Sequence, residues 1–112
     1  RMQEVYWGAY RCSPDGLVEA VAEERLSAPA RVALPAGGRW SGAGSGWASY
    51  AQLLSSACGI STADIHPGQQ PHAGDVARLA AAAFERTGGV PAAEAIPVYL
   101  RDRVAAKPGA RE

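Results

Sequence analysis

The sequence lacks a net charge: eleven Lys and Arg balance eleven Asp and Glu. Phosphate recognition draws its affinity from clustered cations. Here the basic residues are scattered singly, which excludes a strong stand-alone nucleic-acid binder. A long apolar run is also missing. The longest alanine-rich stretch, Leu79 to Phe84, is flanked by charges and far too short to cross a bilayer. The N-terminal residues show no signal-peptide pattern, so a soluble, cytoplasmic protein is expected. Cysteine is scarce. Cys12 and Cys58 stand far apart without metal-like spacing. One disulfide is open to them, but two reduced thiols fit the expected compartment better.

Histidine is equally scarce. His66 and His72 are separated by Pro67 and Pro71 and do not form a helical i, i+4 pair. Joined by Asp64 or Asp75 they would make a metal-ligand set. The simpler reading is two solvated loop histidines, and no metal is expected. No Gly-x-Ser-x-Gly elbow activates a serine. Cys12 ends a strand and Cys58 ends a helix, where the dipole raises a thiol pKa and so opposes nucleophilicity. Glu19, Glu23 and Glu24 read as a solvated strand face. No catalytic residue is assigned.

What is present is ordinary globular material. The chain has 112 residues, 47% apolar and 20% charged. That suits one domain with a modest core. Gln3 to Arg11 reads as a strand with Val5, Trp7 and Ala9 on one face and Tyr6 and Tyr10 on the other. Two apolar faces predict a sheet covered on both sides. Ser13-Pro14-Asp15-Gly16 is a hairpin loop, with the return strand from Leu17 to Arg25. Ser27 to Leu34 allows one or two helical turns capped by Ser27, stopped by Pro35-Ala36-Gly37-Gly38. Arg39 to Ala43 is short and extended.

A helix from Ser45 to Ala57 follows, with Trp47, Tyr50, Ala51 and Leu54 as its buried stripe and Gly59 as its stop. Ile60 to Gly74 reads as loop with a short strand near Ile60 to Ile65. The clearest helix starts at Asp75 and carries Val76, Leu79, Ala80, Ala83 and Phe84 on one face. Gly88-Gly89 ends it. Pro91 to Ala95 reads as a turn. Ile96 to Leu100 is extended, apolar and expected to pack on the body of the domain. A frayed tail is expected over 103–112.

The run Gly42-Ala43-Gly44-Ser45-Gly46-Trp47 is the most informative local signal. A glycine turn entering a helix N-terminus presents backbone N–H groups to an anion. Gly42, Gly44, Ser45 and Gly46 are therefore the candidate cofactor-binding residues. The run lacks the Lys-Ser/Thr of a P-loop and the spacing of a dinucleotide fingerprint. A tight strand-to-helix turn, with Ser45 as helix cap, is the structural alternative and the favoured one. The aromatics Tyr6, Trp7, Tyr10, Trp40, Trp47, Tyr50 and Tyr99 could stack bases. Without interleaved cations, core and subunit interface suit them better.

Three blocks carry a family resemblance. Arg1-Met2-Gln3-Glu4-Val5-Tyr6-Trp7, with Tyr10 after it, resembles the strand opening the C-terminal domain of the TsaB (YeaZ) family. These are bacterial tRNA threonylcarbamoyladenosine biosynthesis proteins. Gly44-Ser45-Gly46-Trp47 with Tyr50 resembles that family's Gly-x-Gly-Trp helix start. Glu94-Ala95-Ile96-Pro97-Val98-Tyr99-Leu100-Arg101, with Val104, is similar to its closing Pro-Val-Tyr-Leu-Arg segment. The blocks fall in the family's order and span nearly the whole chain. Ala28 to Arg39 and Ile60 to Gly74 carry no family motif.

The resemblance implies an α/β fold: one actin-like (ribonuclease H-like) half, a mixed β-sheet with an N-terminal hairpin and two main helices, over residues 1–102. It implies a second, N-terminal domain preceding Arg1. It implies a non-catalytic scaffold or activator without a cofactor of its own, working with a TsaD-like catalytic subunit and a TsaE-like ATPase. tRNA would be met only through that complex, and a homodimer is open. The alternative within the same superfamily is a nucleotide-binding or metal-dependent, peptidase-like enzyme.

Overall fold

The computed structural model describes residues 3–101. The tail expected over 103–112, and the Arg1-Met2 and Val104 ends of the family blocks, lie outside the described residues.

The first strand does not run unbroken from Gln3 to Arg11. It divides into β1 (Val5–Trp7) and β2 (Tyr10–Cys12), and the return strand into β3 (Val18–Ala20) and β4 (Arg25–Ser27). Both pairs are antiparallel, with Tyr10 opposite Ala20 and Trp7 opposite Arg25. The Val21 N–H still donates to the Ala9 carbonyl at 2.9 Å. Gly8 alone therefore spans what Ala22, Glu23 and Glu24 span on the return. The surplus residues bulge out, and the ladder breaks there. Gly8 fits this break, because a Cβ on it would lie 2.9 Å from the Tyr10 ring.

The hairpin loop forms where Ser13-Pro14-Asp15-Gly16 places it. The Gly16 N–H donates to the Ser13 carbonyl at 2.9 Å, and the Leu17 N–H to Asp15 Oδ1 at 3.0 Å. The Ser13 hydroxyl and that Leu17 amide hold the Asp15 carboxyl below its ordinary pKa.

The covered-both-sides expectation fails. Val5 and Ala9 are buried, but Tyr6 is 62% exposed on the opposite face. Ser27 is no cap either. It lies in β4, and a single 3₁₀ turn, Pro29–Arg31, follows with Ala28 in the cap position. Pro29 supplies the fixed φ that starts it.

β5 (Gly42–Ala43) pairs in parallel with β6 (Ile65–His66), so the expected short strand near Ile65 exists but starts there rather than at Ile60. The expected single mixed sheet is instead three two-stranded pieces, two antiparallel and one parallel. The helix after the glycine turn is divided too. α1 (Gly46–Ser49) and α2 (Ala51–Cys58) meet at Tyr50, whose φ of −130° breaks the helical ladder. Gly59 closes α2 in the left-handed conformation, as its position predicts.

The core lies where these pieces converge. Val5, Val32, Trp47, Leu54 and Ile60 form one buried cluster, with Trp7, Trp40 and Tyr50 half-buried against it. Ala51, expected on the buried stripe, is exposed. The break at Tyr50 rotates it outward, while Ala57 and Cys58 turn in.

α3 (Ala73–Thr87) starts before Asp75, which sits in its first turn. Gly88 ends it with an N–H donated to the Phe84 carbonyl. A 3₁₀ turn at Ala92–Glu94 occupies the place predicted for a turn. The closing segment does not pack down: Ile96 and Val98 are each 74% exposed. Arg101 reaches back from its end, with Nε donating to the Tyr6 hydroxyl at 3.2 Å.

Candidate functional site: an aromatic cleft beside the glycine turn

A cleft of about 720 Å³ separates β1 from the segment running through Trp40 to Gly46. Volumes of this size hold small molecules. Trp7, Tyr10, Trp40 and Tyr50 supply aromatic walls, Ser41 and Ser45 hydroxyls, and Glu4 the sole charged side chain among the lining residues. Tertiary structure thus gathers rings from three separate stretches of sequence. The sequence shows each aromatic but not their convergence. Trp7 and Trp47 stand 6.4 Å apart between centroids at 44°, a tilted pair within the favourable range. The Arg11 guanidinium lies 4.6 Å from the Trp40 ring centroid and donates to the Gly37 carbonyl at 3.1 Å. That cation braces the 37–40 loop and does not line the cleft.

The four candidate residues form one wall, and each glycine answers a demand of the fold. Gly42 is buried in β5; a Cβ there would sit 2.6–2.8 Å from Trp47 Cζ2 and Cδ2. Gly44 has φ +111°, a region L side chains rarely adopt. At Gly46 a Cβ would come within 3.3 Å of Val5 Cγ1. One of their amides is engaged: Gly44 N–H donates to the His66 carbonyl, while the Gly44 carbonyl accepts from Trp47 N–H. α1 has only four residues, so little dipole reaches the turn. Ser45 precedes α1 but its hydroxyl makes no cap bond, because its own backbone is already helical. Packing against Trp47 and Val5, and the positive φ of Gly44, account for the three glycines.

Tyr10 is the most perturbed acid in the cleft. It donates its hydroxyl to Glu24 Oε2 across the bulge. That bond, then burial, then the Glu24 charge push its pKa from 10.0 to about 12. The folded value lies above the unfolded one. Stability from this pair is therefore complete below pH 10 and fades as pH rises toward 12. In an alkaline absorbance titration Tyr10 is expected to ionise in that upper window. Glu24→Gln is expected to bring it down toward 10, and an unshifted curve would refute the pairing.

The histidines do not converge. His66 lies on β6 opposite Ala43, and His72 precedes α3; both are exposed. Their nominal carboxylate partners are engaged by arginines: Asp64 with Arg39 at 3.2 and 3.3 Å, Asp75 with Arg78. Among the described residues no group of three or more His, Cys, Asp or Glu could hold a metal ion. Cys12 and Cys58 are both free thiols. Burial pushes the Cys58 thiol up. The direction expected from a helix terminus is found, with desolvation as its cause.

The structure defines a small mixed α/β domain: an interrupted hairpin, a parallel strand pair, and a glycine turn leading into a broken helix. No protein-family model matches the sequence. No curated protein matches it significantly either. Solved structures do. YeaZ from Pseudomonas aeruginosa is 37% identical with a TM-score of 0.74, over 88% of this chain and 45% of that one. A second structure is described as an uncharacterised protein with similarity to peptidase YeaZ from Pseudomonas aeruginosa. It is 38% identical with a TM-score of 0.75, over 89% of this chain and 45% of that one. The chain belongs to the YeaZ (TsaB) family, and it spans somewhat under half the length of these relatives.

Proposed function

We propose that this chain is the C-terminal, actin-like domain of a TsaB-type scaffold in tRNA threonylcarbamoyladenosine formation. In this reading the protein does not itself catalyse. It supports a TsaD-like catalytic subunit and a TsaE-like ATPase in the cytoplasm, and tRNA is met through the complex. The observation that carries the reading is 37–38% identity with YeaZ sustained over nearly nine-tenths of the chain. The cleft is consistent with it. Its wall residues offer no basic side chain for a phosphate and one carboxylate, Glu4, without a partner acid.

The experiment is reconstitution of threonylcarbamoyl transfer with the TsaD-like and TsaE-like proteins. Transfer is expected to require a YeaZ-length polypeptide containing this sequence. Full transfer without that polypeptide, or turnover by it alone, would overturn the proposal.

A second reading is a nucleotide-binding or peptidase-like enzyme. The size and aromaticity of the cleft favour it, as does the peptidase description attached to one relative. Titration of the YeaZ-length polypeptide with ATP separates the two. Tight binding without a partner protein would favour the enzyme.

A further inference from the structure

The exposed apolar side chains of α3, Val76 and Phe84 among them, lie on an open helix face. The rings beside β1 instead wall a cleft of about 720 Å³, a volume in the range of small-molecule sites. The charge of that cleft is one-sided. Glu4 is its sole charged side chain, and no Lys, Arg or His is among the lining residues. Glu4 is half-buried. The salt bridges among the described residues, Arg39 with Asp64 and Arg78 with Asp75, do not include it. A partly desolvated carboxylate without a cation is costly, and a bound cation offsets that cost.

The rings add to the same preference, because an aromatic face is negative and attracts a cation. This protein already makes that contact once: the Arg11 guanidinium lies 4.6 Å from the Trp40 centroid. Tyr10 donates its hydroxyl to Glu24. A phenol polarised by a carboxylate carries more negative charge on its ring. The kind of cation follows from hydrogen-bond supply. A primary ammonium brings three N–H donors that need acceptors once it leaves water. A quaternary ammonium has none to satisfy, so aromatic walls suit it best. Its head group fills only part of the cleft, which leaves room for an apolar body behind it.

We propose that the cleft between β1 and the Trp40 to Gly46 segment binds a small organic cation, a quaternary ammonium on an apolar body. Trp7, Trp40 and Tyr50 supply the aromatic walls for the charge, and Glu4 is its counter-ion. A phosphate or carboxylate ligand would meet Glu4 and no cation. The inference rests on the cleft and not on the tRNA-modification reading, so either can fail without the other.

The test is titration of a YeaZ-length polypeptide containing this sequence. The probes are choline, benzyltrimethylammonium, and the uncharged alcohol in which carbon replaces the nitrogen of choline. Binding is read from the indole N–H signals of Trp7 and Trp40 in NMR spectra. Choline is expected to bind at least about fivefold more tightly than its uncharged isostere. Benzyltrimethylammonium is expected to bind more tightly than choline. Glu4→Gln is expected to weaken choline at least about threefold and to leave the isostere unchanged, with Glu4→Asp recovering part of the loss. Equal affinity for choline and its isostere would overturn the proposal, since apolar burial alone would then explain the binding. So would indole signals that none of the probes moves, or a choline affinity untouched by Glu4→Gln. Benzyltrimethylammonium bound no more tightly than choline would overturn the apolar body. If Glu4→Gln fails to fold, the comparison of choline with its isostere decides the question alone.

Discussion

Replacing Trp47 with alanine is expected to destabilise the domain by about 3–5 kcal/mol, the usual cost of emptying a buried aromatic site. Trp47 is 5% exposed and holds together parts that have few other contacts. It comes from α1, packs on Trp7 of β1, and lies against the Gly42 backbone of β5. The buried cluster around it is otherwise Val5, Val32, Leu54 and Ile60. A core this small cannot close over the void, so the cavity cost is retained in full. Small domains have roughly 5–15 kcal/mol in total, and the loss would be a large fraction of it. Urea denaturation reads the shift directly. Trp47→Phe is expected to recover part of the loss. A Trp47→Ala midpoint close to that of the unsubstituted chain would show that the core lies elsewhere.

Gly42→Ala is the second large effect, and it arises from one methyl group. Gly42 lies outside the left-handed region, so its backbone does not require glycine. By chain entropy alone alanine would stabilise by about 0.4–1 kcal/mol. The Trp47 indole reverses that sign. The new Cβ would fall within 2.8 Å of its ring, and a buried, close-packed ring cannot step aside. Overpacking of this kind costs about 1–3 kcal/mol, and the steric term prevails. The two sites must then be coupled. In a Trp47→Leu background Gly42→Ala is expected to cost far less, because the clashing ring is gone. Strictly additive losses in denaturation experiments would show that Gly42 and Trp47 do not touch as described.

The glycine turn shows how one sequence motif admits two uses. Gly42, Gly44, Ser45 and Gly46 stand out because glycine frees backbone amides. The same residues also let an indole lie flat on a strand and let the chain turn through a positive φ. The placement of Trp47 against Gly42 and the positive φ of Gly44 show the second use. Ser45 is a similar case. Its position before a helix suggests a cap, but the turn gives it helical backbone angles and its hydroxyl makes no cap bond.

The loop at Ser13-Pro14-Asp15-Gly16, the stops at Gly59 and Gly88 and the helix through Leu79 to Phe84 were readable from the chain. Each depends on residues within a turn or two of one another, where proline, glycine and helical spacing act directly. The Gly8 break was not readable. It depends on the Tyr10 ring and on Glu24, which become neighbours only once the hairpin pairs. The exposure of Tyr6, Val76 and Ile96 was not readable either. Apolarity states that a face prefers cover, and does not state whether cover lies within the same stretch of chain.

The local elements, the family blocks and the neutral charge balance with its singly scattered cations were legible in the chain itself, because these depend on composition and near neighbours. Tertiary structure alone decided the split sheets, the cleft walled by Trp7, Trp40 and Tyr50, the Tyr10–Glu24 pair and the uncovered α3. These depend on residues far apart in the chain, and register, bulge and packing set their distances only when the whole chain is folded.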